Sequence, residues 1–192
     1  LAGFWIDWKD IPLMLADRLQ LFKYLDNVGD ARSRGIEASL AARPFSFLTA
    51  RSSLTWLDAR LLNDFDPNNG QEPAKAGDRL PGAPEWTAAT SLIGSWTWGT
   101  HMPSVALIHR YESESATNLS FQDVTKGGYH LLDARTAARF GSFTVAAYGK
   151  NLSDVRGTTA SNNYQQPSGT LTVLRYITPP RSLGVELSYE FQ

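Results

Sequence analysis

Residues 182–191 alternate apolar and polar side chains without an exception. Leu183, Val185, Leu187, Tyr189 and Phe191 fall on one side of the pattern; Gly184, Glu186, Ser188 and Glu190 fall on the other. Successive side chains of a strand point to opposite faces, so this segment is a strand with one oily and one wet face. Two architectures use such a strand. A soluble β-sandwich turns the oily face inward, whereas an outer-membrane barrel turns it to lipid and its polar face to a lumen.

Composition narrows the choice. The 192 residues carry a formal net charge of −1, so no excess of either sign points to nucleic acid or to an anionic surface. Charged residues make up 19% of the chain, below the roughly 25% of soluble domains. No run approaches the ~20 apolar residues of a membrane helix, which says nothing against a barrel whose strands are each only half apolar. Without cysteine there are no disulfides and no thiolate metal sites. The chain opens at Leu1, with no leader, directly in the strand-like Phe4-Trp5-Ile6-Asp7-Trp8. It reads as the C-terminal piece of something longer.

Period-two reading predicts about eight strands, over 2–10, 22–42, 45–60, 85–98, 102–112, 128–140, 142–152 and the last ten residues. The oily set includes Phe4, Ile6 and Trp8 in the first segment, and Trp86, Ala88, Leu92, Trp96 and Trp98 in the fourth. No helical period competes with this reading, and only 12–22 leaves room for a short turn. Connections alternate in length. Arg43-Pro44, 99–101 and Gly141-Ser142 are tight, while 61–84, 113–127 and 153–179 are long and polar. Bacterial outer-membrane barrels have this asymmetry, and compact soluble domains rarely carry several such loops.

The wet face bears Glu37, Arg51, Arg110, Asp133, Arg135, Lys150 and Glu186 in mid-strand. A soluble exterior or a wet lumen accommodates such charges; a dry core does so only at a large cost in desolvation. Trp86 and Trp96 stand ten residues apart on one face, about 25 Å along the normal at a strand tilt of roughly 40°. That is the height of the apolar band between the aromatic girdles of a barrel. Trp8 and Trp56 fit the long-loop girdle, and Trp98, Phe140, Tyr189 and Phe191 the short-turn girdle. A sandwich core filled with aromatics is the other reading of the same pattern.

Four stretches, in order, resemble the C-terminal barrel of TonB-dependent outer-membrane receptors. Phe4-Trp5-Ile6-Asp7-Trp8-Lys9-Asp10-Ile11 resembles an aromatic-rich strand entering an external loop. Asn27-Val28-Gly29-Asp30-Ala31-Arg32-Ser33-Arg34-Gly35-Ile36-Glu37 is similar to the family's N-x-G-x-A-x-S-x-G-hydrophobic-E segment. Asn151-Leu152-Ser153-Asp154 resembles its N-L-F-D, with Ser153 in place of the aromatic. Pro180-Arg181-Ser182 resembles the lead into the closing strand. The resemblance spans nearly the whole chain and implies an all-β, antiparallel transmembrane barrel segment of about eight strands, the C-terminal third of a 22-stranded barrel. The plug and the segment that engages the energy-transducing TonB protein would lie upstream.

The resemblance also implies uptake of a scarce small-molecule ligand, a ferric siderophore first and a vitamin or glycan otherwise. Outer-membrane lipid would surround the wall, and the barrel assembly machinery would recognise the last strand through Tyr189 and Phe191, although Gln192 follows Phe191. Two other functions are compatible with the pattern: a stand-alone eight-stranded anchor or adhesion barrel, and a soluble all-β binding domain.

Few residues suggest chemistry. Asp64, Asp66 and Asn68 present oxygens at alternate positions, as calcium ligands do. The following Gly70 falls one place late, however, and Lys75 occupies the place of a closing glutamate, so the segment reads as a hydrophilic loop. His101, His109 and His130 lack metal spacing. No Ser/His/Asp order, phosphate-binding glycine loop or carboxylate pair suggests an enzyme, and no cofactor is implied. Arg51, Arg110 and Arg135 are the lumen-facing candidates for attracting an anionic ligand, or for pairing with carboxylates of a plug or neighbouring strand.

Overall fold

The computed structural model describes residues 1–16, 22–68, 72–119, 124–165, 168 and 170–191. The strands are β1 (Ala2–Trp8), β2 (Pro12–Ala16), β3 (Lys23–Asn27), β4 (Ala31–Phe45), β5 (Leu48–Leu61), β6 (Trp86–Ser95) and β7 (Met102–Glu112). They continue with β8 (Ser115–Ala116), β9 (Thr125–Lys126), β10 (Tyr129–Phe140), β11 (Phe143–Lys150), β12 (Thr158–Gln165), β13 (Leu171–Ile177) and β14 (Ser182–Tyr189).

Eight of these form one antiparallel sheet in the order β1-β4-β5-β6-β7-β10-β11-β14, which is chain order. The hairpins β2–β3, β8–β9 and β12–β13 are separate two-stranded ribbons inserted between its strands. β1 and β14 are the sheet's two edges and do not pair with each other. The sheet is therefore an open wall, which does not fit the small closed barrel.

Register assigns the two faces. One cross-strand row runs Ala42, Ala50, Leu92, Leu107, Ala134, Gly149, Leu183 from β4 to β14. A neighbouring row on the opposite face runs Thr49, Ile93, Ala106, Arg135, Tyr148, Gly184. No second sheet covers either face among the described residues. On the apolar face Leu40, Leu183, Val185 and Leu187 are left 65–76% exposed. Each such side chain forgoes about 1.5–3 kcal/mol of burial in water, and the apolar area runs from edge to edge. A soluble sandwich does not leave that face bare; lipid covers it without further protein.

The densest packing lies elsewhere, at the end where the long connections gather. Ile11, Leu15, Val28, Ala31, Leu61, Ala74 and Leu119 form one buried cluster, flanked by Leu13, Tyr24, Phe65 and Leu80. It draws on the β2–β3 ribbon, the 62–85 excursion and the 113–128 excursion. The long connections are thus built, rather than merely hydrophilic.

Several boundaries differ from the sequence reading. The tight turn is Ser46-Phe47, not Arg43-Pro44, because β4 continues through a bulge between Ala42 and Phe45. A bulge tolerates Pro44, whose missing N–H has no ladder bond to lose there, and the Arg43 side chain donates to the Ser46 carbonyl. The run 22–42 is broken at 28–30, where Gly29 takes φ 96°, a left-handed value that favours glycine. Within 12–22, residues 12–16 are strand, and 17–21, where a short turn could fall, lie outside the described residues.

Candidate functional site

The polar face carries the mid-strand charges Arg51, Arg110 and Arg135. The three arginines chosen from sequence line three separate grooves. Arg110 donates to Asp133 Oδ2 at 2.6 Å, and lies with Glu112 and Tyr129 along a groove of about 430 Å³. Arg135 reaches Glu186 at 3.5 Å, in a groove of about 420 Å³ that also holds Asp133 and Lys150. Arg51 stands across from Ala41 and Ser91 and is exposed. It lines a third groove, of about 380 Å³, with Ser39, Ser53 and Ile108. No carboxylate pairs with Arg51 among the described residues, so it is the arginine whose charge is most available to something entering from the polar side. The other two are already held by the wall.

Of the oxygens weighed as calcium ligands, those of Asp64 and one of Asp66 are engaged within the loop. Asp64 accepts from the Ala76 N–H at 2.8 Å and from Lys75 Nζ at 3.0 Å, and both bonds, the backbone one foremost, hold its carboxyl below the usual range. Asp66 Oδ1 accepts from the Asn68 N–H at 2.8 Å. Lys75 fills with its own cation the space a divalent ion would need. Asn69 and Gly70 lie outside the described residues.

Large aromatics stand at both ends of the apolar face. At the long-loop end Trp56 and Trp86 are cross-strand partners, and Trp5 joins their face through Arg34. Trp8 does not belong with them. It pairs with Ala31, and with Phe4 and Ile6 it lies on the polar face. Both phases of β1 are rich in large apolar residues, so alternation alone chooses wrongly; the Asp7–Arg32 ion pair at 2.7 Å and the fit of Phe4 against Gly35 set the register. A Cβ on Gly35 would meet the Trp56 carbonyl and come within 2.6 Å of Phe4 Cζ, so only glycine admits the ring there.

At the turn end Trp96 is 46% exposed. Trp98 lies beyond β6, in the turn, bridged to His101. The rings of Phe143 and Tyr189 stand 4.8 Å apart, and Phe191 meets Tyr189 edge-on at the same distance. Phe45 and Phe47 stack at the same end, with ring centres 5.4 Å apart, and were not picked out by sequence, because they sit at a turn rather than within an alternating run. Gln192 lies outside the described residues.

A family model described as "TonB dependent receptor-like, beta-barrel" matches residues 1–152, most of the chain. The chain belongs to this family. TonB-dependent receptors are outer-membrane receptor and transport proteins, not enzymes, so the lipid covering inferred for the apolar face follows from membership as well. Two solved structures share the fold at 20% identity. The ferric yersiniabactin uptake receptor FyuA from Yersinia pestis matches with a TM-score of 0.70 over 99% of this chain. BauA, the ferric preacinetobactin receptor from Acinetobacter baumannii, matches with 0.63 over 98%. The chain spans 27% and 26% of those two chains. No curated protein matches it in sequence.

In this receptor domain the Asn151-Leu152-Ser153-Asp154 motif is a clasp. Asn151 is 6% exposed and takes a left-handed φ of 47°. Its Nδ2 donates to the carbonyls of Val155 at 2.9 Å and Pro179 at 2.8 Å, and its Oδ1 accepts from the Val155 N–H at 3.1 Å. Its own N–H donates to Asp133 at 2.8 Å, on the neighbouring strand. Asp154 completes the closure by accepting from the Arg181 N–H at 2.8 Å. That bond first, and the nearby Arg156 charge after desolvation, hold its carboxyl below the usual value. The clasp ties the end of β11 to the segment entering β14, across the base of the β12–β13 excursion. Ser153 takes no part in it, so the missing aromatic leaves the clasp intact.

Proposed function

We propose that the chain is the C-terminal third of a 22-stranded barrel whose parent receptor takes up a ferric siderophore, energised by the TonB protein acting on an upstream plug. The observation that carries this reading is the two-faced single wall. Its bare apolar face carries large aromatics at both ends, its charged face carries Arg51 without an ion-pair partner among the described residues, and its long connections share a packed core at one end. Such a wall suits a large lumen entered from the loop end. A ferric siderophore is favoured over a vitamin or glycan because both similar structures are receptors for ferric complexes, and because a ligand bearing anionic oxygens suits Arg51. The loop cluster supplies capture, plug movement opens the path, and the wall guides passage. β14, with Tyr189 and Phe191, serves as the segment read by the assembly machinery.

The test is growth under iron limitation. A strain deleted for the parent receptor is supplied with single ferric siderophores and complemented with wild type or with Arg51→Gln. Growth that depends on the parent and falls in the variant supports the reading. Growth indifferent to the parent on every ferric complex, with dependence on a vitamin or glycan, moves the cargo to that class.

A further inference from the structure

The outward end of the wall carries a row of charges in which three arginines adjoin. Asp7, Arg32, Arg60 and Arg79 are successive cross-strand neighbours, and in the row beneath them come Trp5, Arg34 and Asp58. All share the face of Ile36, Leu54 and Trp56, the lipid-covered one, and not the lumen. Directly opposed like charges destabilise a sheet, yet three arginines stand side by side.

Internal carboxylates compensate only in part. Asp58 accepts from Arg34 Nη2 at 3.0 Å and Arg60 Nε at 2.6 Å, with Arg79 at 3.9 Å. Arg32 pairs with Asp7, and Arg79 is engaged by Glu85 at 2.8 Å. Arg32, Arg34 and Arg60 therefore face the two carboxylates of Asp7 and Asp58, an excess of one positive charge. Their side chains remain 37–46% exposed. Trp5 lies under both Arg32, 4.5 Å from its ring centre, and Arg34, 5.4 Å away, which holds the guanidiniums up and outward.

Depth identifies the missing anion. Arg60 lies four residues beyond Trp56 on β5, about 10 Å higher along the normal at a tilt near 40°. Trp56 stands in the girdle at the apolar boundary, so the arginines lie at headgroup level. Planar guanidiniums with spare donors match a phosphate bidentately. We infer that the outward cluster of Arg32, Arg34 and Arg60 binds the phosphomonoester headgroup of a membrane lipid. The inference rests on the barrel-wall reading but is independent of what the receptor transports.

The parent receptor, purified in detergent, is loaded with dioleoyl phosphatidate or dioleoyl phosphatidylcholine, and bound lipid is counted by native mass spectrometry. Phosphatidate is expected to be retained about tenfold over phosphatidylcholine, the equivalent of one charge-assisted hydrogen bond. Arg32→Gln, which gives up the pair with the exposed Asp7 and the stacking on Trp5, removes most of that preference, and Arg32→Lys restores part of it. Heat-modifiable migration is read on the same samples; if it is absent in wild type, the barrel reading fails rather than the lipid site. Where Arg32→Gln alone loses the heat shift, Arg60→Gln is read in its place. Equal retention of the two lipids, or a preference unchanged in a folded glutamine variant, overturns the inference. Displacement of phosphatidate by millimolar inorganic phosphate assigns the cluster to a solution anion and overturns it equally.

Discussion

Replacing Asn151 with alanine unfastens the base of the last outer excursion, and the structure gives the size of the effect. The substitution removes two donated bonds, to Val155 and Pro179 carbonyls, and one accepted bond from the Val155 N–H. A polar group left without its partner in a buried place costs about 1–3 kcal/mol. Because the clasp borders solvent, water reaches part of it and the lower figure applies, about 3 kcal/mol for three groups. The backbone adds to this. At φ 47° alanine pays about 1 kcal/mol that asparagine largely avoids, which brings the expected loss to about 4 kcal/mol.

Glycine at the same position separates the two contributions, since it loses the same hydrogen bonds but is at ease at positive φ. Asn151→Gly is expected about 1 kcal/mol above Asn151→Ala. Urea unfolding of the parent receptor in micelles, followed by loss of the heat-modifiable band, gives both differences from the midpoints and slopes. Protease cleavage within 153–181 reports whether only the excursion opens. An alanine variant within about 1 kcal/mol of wild type, with the excursion still protected, refutes the clasp. A glycine variant no more stable than alanine refutes the backbone contribution.

Other outcomes follow from the same geometry. Gly35→Ala and Gly184→Ala press a methyl onto the rings of Phe4 and Tyr148 and are expected to cost about 1–3 kcal/mol each, whereas Gly94→Ala, with its nearest neighbours at 3.9 Å, is expected to be close to neutral in the same urea assay. Asp64 has a folded-state carboxyl below its unfolded value, so its contribution is complete above the unfolded pKa of about 3.9 and is lost as the pH falls through the folded value. Pepsin cleavage within 62–85 should therefore rise steeply only below about pH 4, and Asp64→Ala should abolish that pH dependence. In a parent receptor cleared of any other cysteine, Val185→Cys and Glu186→Cys test the faces directly: a membrane-impermeant maleimide should label the second in the folded receptor and spare the first. Labelling of both in a heat-modifiable protein would refute the face assignment.

The terminal alternation and the contrast of short and long connections already contain the antiparallel sheet with its long excursions at one end, because a strand's period of two writes its two faces into the residues themselves. The polar face was legible for the same reason, down to Arg51, Arg110 and Arg135. What alternation cannot encode is register where both phases of a strand are apolar. In β1 alternation puts Trp8 with the oily set, and only pairing with β4, in which Asp7 meets Arg32 and Phe4 lies over Gly35, puts Trp5 on the apolar face and Trp8 on the other. Contacts between residues distant in the chain were likewise beyond reach: the core shared by three excursions, the reach of Asn151 from β11 to Pro179, and the arginine row assembled from β4, β5 and the 78–80 segment. The sequence determined which side chains prefer oil and which prefer water, since that is a property of each residue and its neighbours. Which residues meet across the sheet was decided only by tertiary pairing, because it depends on how separate strands are brought side by side.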